Sequence, residues 1–154
     1  MTGIATISIL KVVLAAAVSA VVVMQDIRHR RISNNLCGAL LLIGTLSACL
    51  SRGWIGLAEG LLGATLGFVI FLIPYGFGGM GGGDVKLMSA FGALIGVQGV
   101  LPALLLVAMA GAATSVFYLL WMRLRGHAIP VAIPYAPAIV AGSLLVVVSQ
   151  IGAR

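Results

Sequence analysis

Residues 55–97 read IGLAEGLLGATLGFVIFLIPYGFGGMGGGDVKLMSAFGALIGV: two apolar runs divided by a glycine-rich segment that opens at Pro74 and ends at Asp84. The first run, about Ile55 to Ile73, suits a membrane-crossing helix, which needs roughly 20 apolar residues. Gly60, Gly63 and Gly67 recur along it at helical spacing and predict a face that a neighbouring helix can approach closely. Pro74 and the glycines after it predict a break, since proline lacks a backbone donor and glycine makes regular structure costly. Asp84 stands where that loop meets the second run, about Val85 to Val97.

The rest of the chain repeats this alternation. A first span is expected at about Ile4 to Met24, interrupted only by Lys11, and the polar loop Gln25 to Asn35 follows it with Asp26 near its start. A short second span covers Leu36 to about Leu50 and leaves through Ser51-Arg52-Gly53-Trp54, with Trp54 as an interfacial anchor. After a Gln98-Gly99 turn, a fifth span runs from about Leu101 to Trp121; Pro102 suits the first turn of its helix. A sixth occupies roughly Val131 to Ile151. Hydrophobic residues make up 62% of the chain and charged ones 8%, with mean hydropathy +1.23; a soluble domain carries about 25% charged residues. The expectation is an all-α membrane protein, a polytopic bundle of about six transmembrane helices forming a single domain over residues 1–154.

The formal charge of +6 does not point to nucleic acid, because most basic residues lie in short loops beside apolar runs and act there as topology signals. Loops after the first, third and fifth spans hold Arg28, Arg30, Arg31, Lys86, Arg123 and Arg125, whereas the other side holds only Arg52 and Arg154. The positive-inside rule then makes the first group cytoplasmic, puts both termini outside and sets Asp26 and Asp84 at the cytoplasmic face. Lys11, inside the first span, is expected to snorkel outward. That span has no basic region before it and continues into Asp26 and a basic loop, so it is expected to be a retained helix rather than a cleaved signal peptide.

Metal and redox chemistry are poorly supplied. Cys37 and Cys49 lie in one apolar run without C-x-x-C spacing, and the only histidines are His29 and His127. The cysteines are expected to serve packing, the histidines to be solvated loop residues, and no cofactor or metal is called for. Asp26 and Asp84 are the only aspartates, and ionisable groups near an apolar span are functional candidates by default. Each has a structural alternative. Asp84 suits a helix N-cap, where a carboxylate accepts backbone N–H bonds; Asp26 could pair locally with His29 or Arg30. Taken together, two carboxylates at one depth on one side suit an aspartyl dyad, in which the two cannot easily both ionise and share a proton. The glycines before Asp84 are either a flexible connection or a place where an extended substrate backbone comes close. A phosphate loop is disfavoured, because Gly81 to Lys86 lacks the spaced Gly-Lys-Ser/Thr pattern and puts an acid where phosphate would bind. Lys86 is expected to contact headgroups or tune the dyad, and Glu59 to cap the third span.

Two regions resemble the signatures of type IV prepilin peptidases, membrane aspartic proteases with a GxGD motif. They are Asp26 with Arg28, Arg31-Ile32 and Asn34, and the run Gly78-Gly79-Met80-Gly81-Gly82-Gly83-Asp84-Val85-Lys86-Leu87. The likeness extends over nearly the whole chain, including Ile133-Pro134-Tyr135-Ala136-Pro137-Ala138, which is similar to the start of the family's final helix. It implies Asp26 and Asp84 as catalytic, with Gly81 and Gly83 as the glycines of GxGD. The implied substrates are pilin-like precursors with a short basic leader before a hydrophobic helix, cut on the cytoplasmic side of the inner membrane. The compact length resembles the short peptidases of tight-adherence (Flp-type) pili, and an archaeal preflagellin-type peptidase would share the dyad. Ser33 stands where the family commonly has proline. Longer relatives that also methylate the new N-terminus carry an N-terminal region with paired cysteines, which this chain lacks, so methyltransferase activity is not expected. Rivals from other classes are a small proton- or cation-coupled carrier using the same aspartates, and a non-catalytic assembly subunit.

Overall fold

The computed structural model describes residues 2–29, 31–125 and 135–152, and these are helical almost throughout, without strands. Four helices follow in order: α1 (Thr2–His29), α2 (Asn34–Gly76), α3 (Gly82–Leu124) and α4 (Ala136–Gly152). The first three are long and apolar enough to cross a membrane, and α4 is a shorter apolar helix. The expected all-α architecture is what the structure shows. Its helix ends differ from expectation. The segment around Asp26 is the last turn of α1 rather than loop, with Arg28 and His29 beside it as complements to the helix dipole. Pro74 lies inside α2, which runs two residues further because Phe77 and Gly79 N–H still reach the carbonyls of Ile73 and Pro74. His127 and residues 131–134 of the expected sixth span lie outside the described residues.

Both long helices fold back on themselves. In a straight helix Thr45 and Gly60 would stand about 22 Å apart at 1.5 Å per residue, yet a β-carbon at Gly60 would lie 3.9 Å from the Thr45 Cα. The reversal is at Gly53, with φ 60° and ψ −139°. A similar break falls at Gly96, with φ 68° and ψ 176°, ahead of the Gln98-Gly99 turn that the sequence suggests. Gly142 of α4 backs onto Val107 while Ser143 lies 3.9 Å from the Met88 sulfur, so segments 82–95 and 97–124 both pack on α4. Positive φ at both breaks is the region that glycine alone enters cheaply. Pro102 therefore sits beyond the first turn of the segment that starts after Gly96.

A broken helix exposes carbonyls without partners, and in apolar surroundings each costs several kcal/mol. Two side chains meet that need at the end of segment 82–95: Lys11 Nζ donates to Leu94 O at 3.0 Å and Gln150 Nε2 to Ile95 O at 2.8 Å. Lys11 thus turns inward instead of snorkelling, since a cation is favoured at a helix C-terminus. Glu59 does not cap its span either; it pairs with Arg52 at 2.6 Å across the Gly53 reversal. These residues, with Ser8 and Gln98, line a cavity of about 370 Å³.

Segment 82–95 is the centre of the molecule. Val85, Leu87, Met88, Ala90, Phe91, Ala93, Leu94 and Ile95 are all buried, as befits a helix that is apolar on every side. Close approach requires small residues around it. β-Carbons at Gly63 and Gly92 would each overlap the other's carbonyl, and one at Gly67 would lie 2.7 Å from Met88 O. The outward faces carry Ile9, Val13, Leu46, Leu105, Met109 and Phe117 in the open, an apolar surface suited to lipid. Gly92→Val should lower stability by about 1–3 kcal/mol in thermal melts of the detergent-solubilised protein. Leu105→Val, on the exposed face, should stay within about 0.5 kcal/mol of the parent.

Candidate active site

Asp26 and Asp84 come from different helices and line the same cleft, of about 300 Å³, together with Arg31, Ile32, Asn34, Gly81, Gly82, Gly83 and Lys86. Both carboxylates are nearly buried, with 7% and 9% of their surface exposed. The larger cavity around Lys11 is separate from this cleft. It lies about 22 Å away along α1 by helical rise, and its polar groups serve the helix breaks described above.

Asp84 is not the N-cap residue of α3. The cap is Gly81, in extended backbone, and Asp84 sits in the third helical position. Its Oδ2 accepts the Gly81 N–H at 3.2 Å while its own N–H donates to Gly81 O at 3.0 Å. This closes the first turn as the carboxylate half of a capping box. Such a turn suits an anion through both the free N–H groups and the dipole. Gly82 and Gly83 accordingly belong to the helix rather than to a flexible loop. Space explains glycine at 83: a β-carbon there would lie 3.2 Å from the Ile32 β-carbon. Gly83 so lets residues 31–33 lie against the start of α3, bringing Arg31 and Ile32 to the cleft wall.

Asp26 stands near the C-terminal end of α1, where its own helix dipole disfavours an anion. One compensation comes from the far end of the chain. The Ala136 N–H, at the start of α4, donates to Asp26 Oδ2 at 3.3 Å in a buried bond. Asp26 therefore sits at the N-terminal, positive end of a second helix, and Asp84 at that of a third. Lys86 is exposed and donates from Nζ to Asn34 Oδ1 at 2.9 Å, tying the second turn of α3 to the first residue of α2 at the cleft. The cleft so holds two carboxylates and two cations, Lys86 and Arg31. Among the described residues no group of three His, Cys, Asp or Glu side chains is placed to hold a metal ion.

The structure brings together Asp26, Asp84, Gly81, Gly83 and Lys86, the five positions singled out from sequence. Three further participants escaped that reading. Arg31 reads from sequence as a topology residue, although it lies in the first motif and lines the cleft. Asn34 was quoted in the motif without a role. The Ala136 N–H has no side-chain signature at all, and only Pro137 next to it marks a helix start.

The fold is thus a bundle of apolar helices in which two aspartates, each at the N-terminal end of a helix, line one cleft. The chain belongs to the type IV leader peptidase family, whose profile matches residues 13–116, including both aspartates. Similar proteins are the prepilin leader peptidase/N-methyltransferases of Xanthomonas campestris pv. campestris, Bacillus subtilis and Aeromonas hydrophila. The first is 31% identical over 119 residues, 73% of this chain and 40% of that protein. The second is 38% identical over 88 residues, 56% of this chain and 34% of that protein. The third is 35% identical over 104 residues, 63% of this chain and 35% of that protein. The chain thus spans well under half the length of these relatives. No solved structure matches it significantly. Together with its three long apolar helices, family membership makes the chain a multi-pass membrane protein.

Gly83→Val should destabilise the start of α3 by about 1–3 kcal/mol through overlap with Ile32. Ile32→Ala should recover part of that loss in the double variant. A coupling of about 0.5–3 kcal/mol in denaturation of the four-member cycle checks the contact.

Proposed function

We propose that this chain is a membrane-embedded aspartic endopeptidase that removes the basic leader from type IV pilin-like precursors, with Asp26 and Asp84 as its catalytic pair. The observation that carries the reading is the convergence of these two aspartates, distant in sequence, on one cleft. The family match and the names of the relatives support it.

The pair supplies what amide hydrolysis needs. One carboxylate, ionised, takes a proton from water as the water oxygen bonds to the peptide carbonyl carbon. The other, protonated, polarises the carbonyl oxygen. When the C–N bond breaks, a proton passes to the leaving amine and the new carboxyl stays on the leader. The pair titrates as a unit, so neither role is assigned to one residue. Gly81 and Gly83 keep the wall beside Asp84 free of side chains, and Lys86, held by Asn34, stands at the mouth. Arg31 and Lys86 repel a basic leader, so the leader is best placed away from them, with the apolar part of the substrate against the lipid-facing helices.

In this reading the halves of α2 and α3 on either side of Gly53 and Gly96 are separate spans, which gives six transmembrane helices with α1 and α4. The excess of Lys and Arg beside the aspartates supports a cleft at the cytoplasmic face of the inner membrane, with both termini outside. The carrier alternative is not favoured, because both acids sit at helix ends rather than at mid-span. The relatives are bifunctional by name; no methyl-transfer step is proposed here, in keeping with the expectation from sequence.

Asp26→Asn and Asp84→Asn should each lower cleavage of a co-expressed pilin-like precursor by about 10²-fold or more while leaving the chain folded in the membrane. Parental processing by either variant, measured by the mobility shift of the precursor, would sink the reading.

A further inference from the structure

We infer that the first turn of α4 is the positioning element for Asp26, with the main-chain N–H of Ala136 holding the carboxylate in the cleft. The inference rests on the peptidase reading above and adds a third element, distant from both aspartates in sequence, to that site.

Bookkeeping of backbone donors carries the argument. The first N–H groups of a helix lack partners within it. In α4, Ala138 and Ile139 both donate to Tyr135 O, at 3.1 and 3.2 Å, and Pro137 has no N–H. Ala136 is the donor left over, and it points at Asp26 Oδ2, 3.3 Å away. The donor is also immobilised. Ala136 is fully buried, and Tyr135, immediately before it, lies against Gly111 of α3 so closely that a β-carbon there would come within 2.6 Å of the ring. A carboxylate at the end of α1, where its own dipole repels it, is thereby fixed by a rigid donor on a neighbouring helix. Since a displacement of about 1 Å can cost 10²-fold in rate, this contact should govern turnover more than substrate binding.

Ala136→Pro replaces the N–H by the ring Cδ, which faces Asp26 Oδ2 as the hydrogen did, so the contact is lost and the carboxylate must move. Proline is favoured at a first helical position, and Tyr135, which would precede it, lies outside α4. The full chain is assayed in liposomes with a synthetic precursor bearing a short basic leader before an apolar helix. Ala136→Pro should lower kcat by about 10–100-fold with KM within about threefold, and Ala136→Gly, which retains the donor, should recover most of that loss. A parental kcat for Ala136→Pro, an equal loss in Ala136→Gly, or a loss residing in KM would each overturn the inference. Should Ala136→Pro fail to fold, Gly111→Ala displaces Tyr135 without touching either aspartate and should show the same fall in kcat at constant KM; an unchanged kcat there is equally fatal. Asp26→Asn runs alongside. If it is inactive while Ala136→Pro is normal, only the positioning role fails, whereas an active Asp26→Asn defeats the peptidase reading itself.

Discussion

Backbone groups that water cannot reach must find partners inside the protein, and in this chain that constraint places Lys11, Gln150, Asp26 and Asp84. Folding α2 and α3 back at Gly53 and Gly96 creates helix ends that an uninterrupted span would not have. With only twelve charged side chains in the chain, nine basic and three acidic, few groups can serve those ends, and they divide by sign. Lys11 and Gln150 donate to the carbonyls at the C-terminal end of segment 82–95, while Asp84 and Asp26 accept N–H groups at the N-terminal ends of α3 and α4. Lys11 and Asp84 stand at dipole ends that favour them, and Asp26, disfavoured by α1, is favoured by the start of α4.

The glycine contacts make that arrangement possible. Because Gly63 and Gly92 bring backbone against backbone, segment 82–95 sits at the centre of the bundle with its two ends in different polar settings. One end meets Lys11 and the cavity beside it. The other meets the cleft with both aspartates, where Gly83 leaves room for Ile32 and so for the 31–33 stretch that carries Arg31 and leads to Asn34. Packing by small residues and assembly of the candidate site are therefore one structural problem: widening the contact at Gly92 would shift the helix on which Asp84 is mounted.

Composition and hydrophobic runs were enough to reveal an all-helical membrane protein, and the acid–glycine junctions were enough to single out Asp26 and Asp84. Both signals are local. The Gly60, Gly63 and Gly67 face was readable for the same reason, since its meaning lies in spacing alone. What sequence missed is what depends on partners far away along the chain. Glu59 looked like a cap because the reversal that brings Arg52 to it is set by one backbone angle at Gly53. Lys11 looked solvated because the carbonyl it serves is freed only by the break at Gly96. Asp26 invites partners in its own loop, and the structure adds one from α4, a main-chain N–H that no side chain announces. Asp84 was misplaced by three positions, since a glycine can occupy the cap site while the acid closes the turn from within.

Under the proposed function, the two aspartates are also the point where stability and chemistry compete. A carboxylate that caps a helix is most useful as a fixed anion, yet acid–base hydrolysis requires that one of the pair carry a proton part of the time. The conflict is limited by the anatomy of the group. A carboxylate offers about four lone-pair sites over two oxygens, and the Gly81 and Ala136 N–H groups each reach a single oxygen of their aspartate. Capping thus fixes orientation without exhausting the capacity to accept from water or to hold a proton. The same economy accounts for the siting of the pair at helix N-termini: a location that already requires a negative group can host a reactive one at little added cost to the fold.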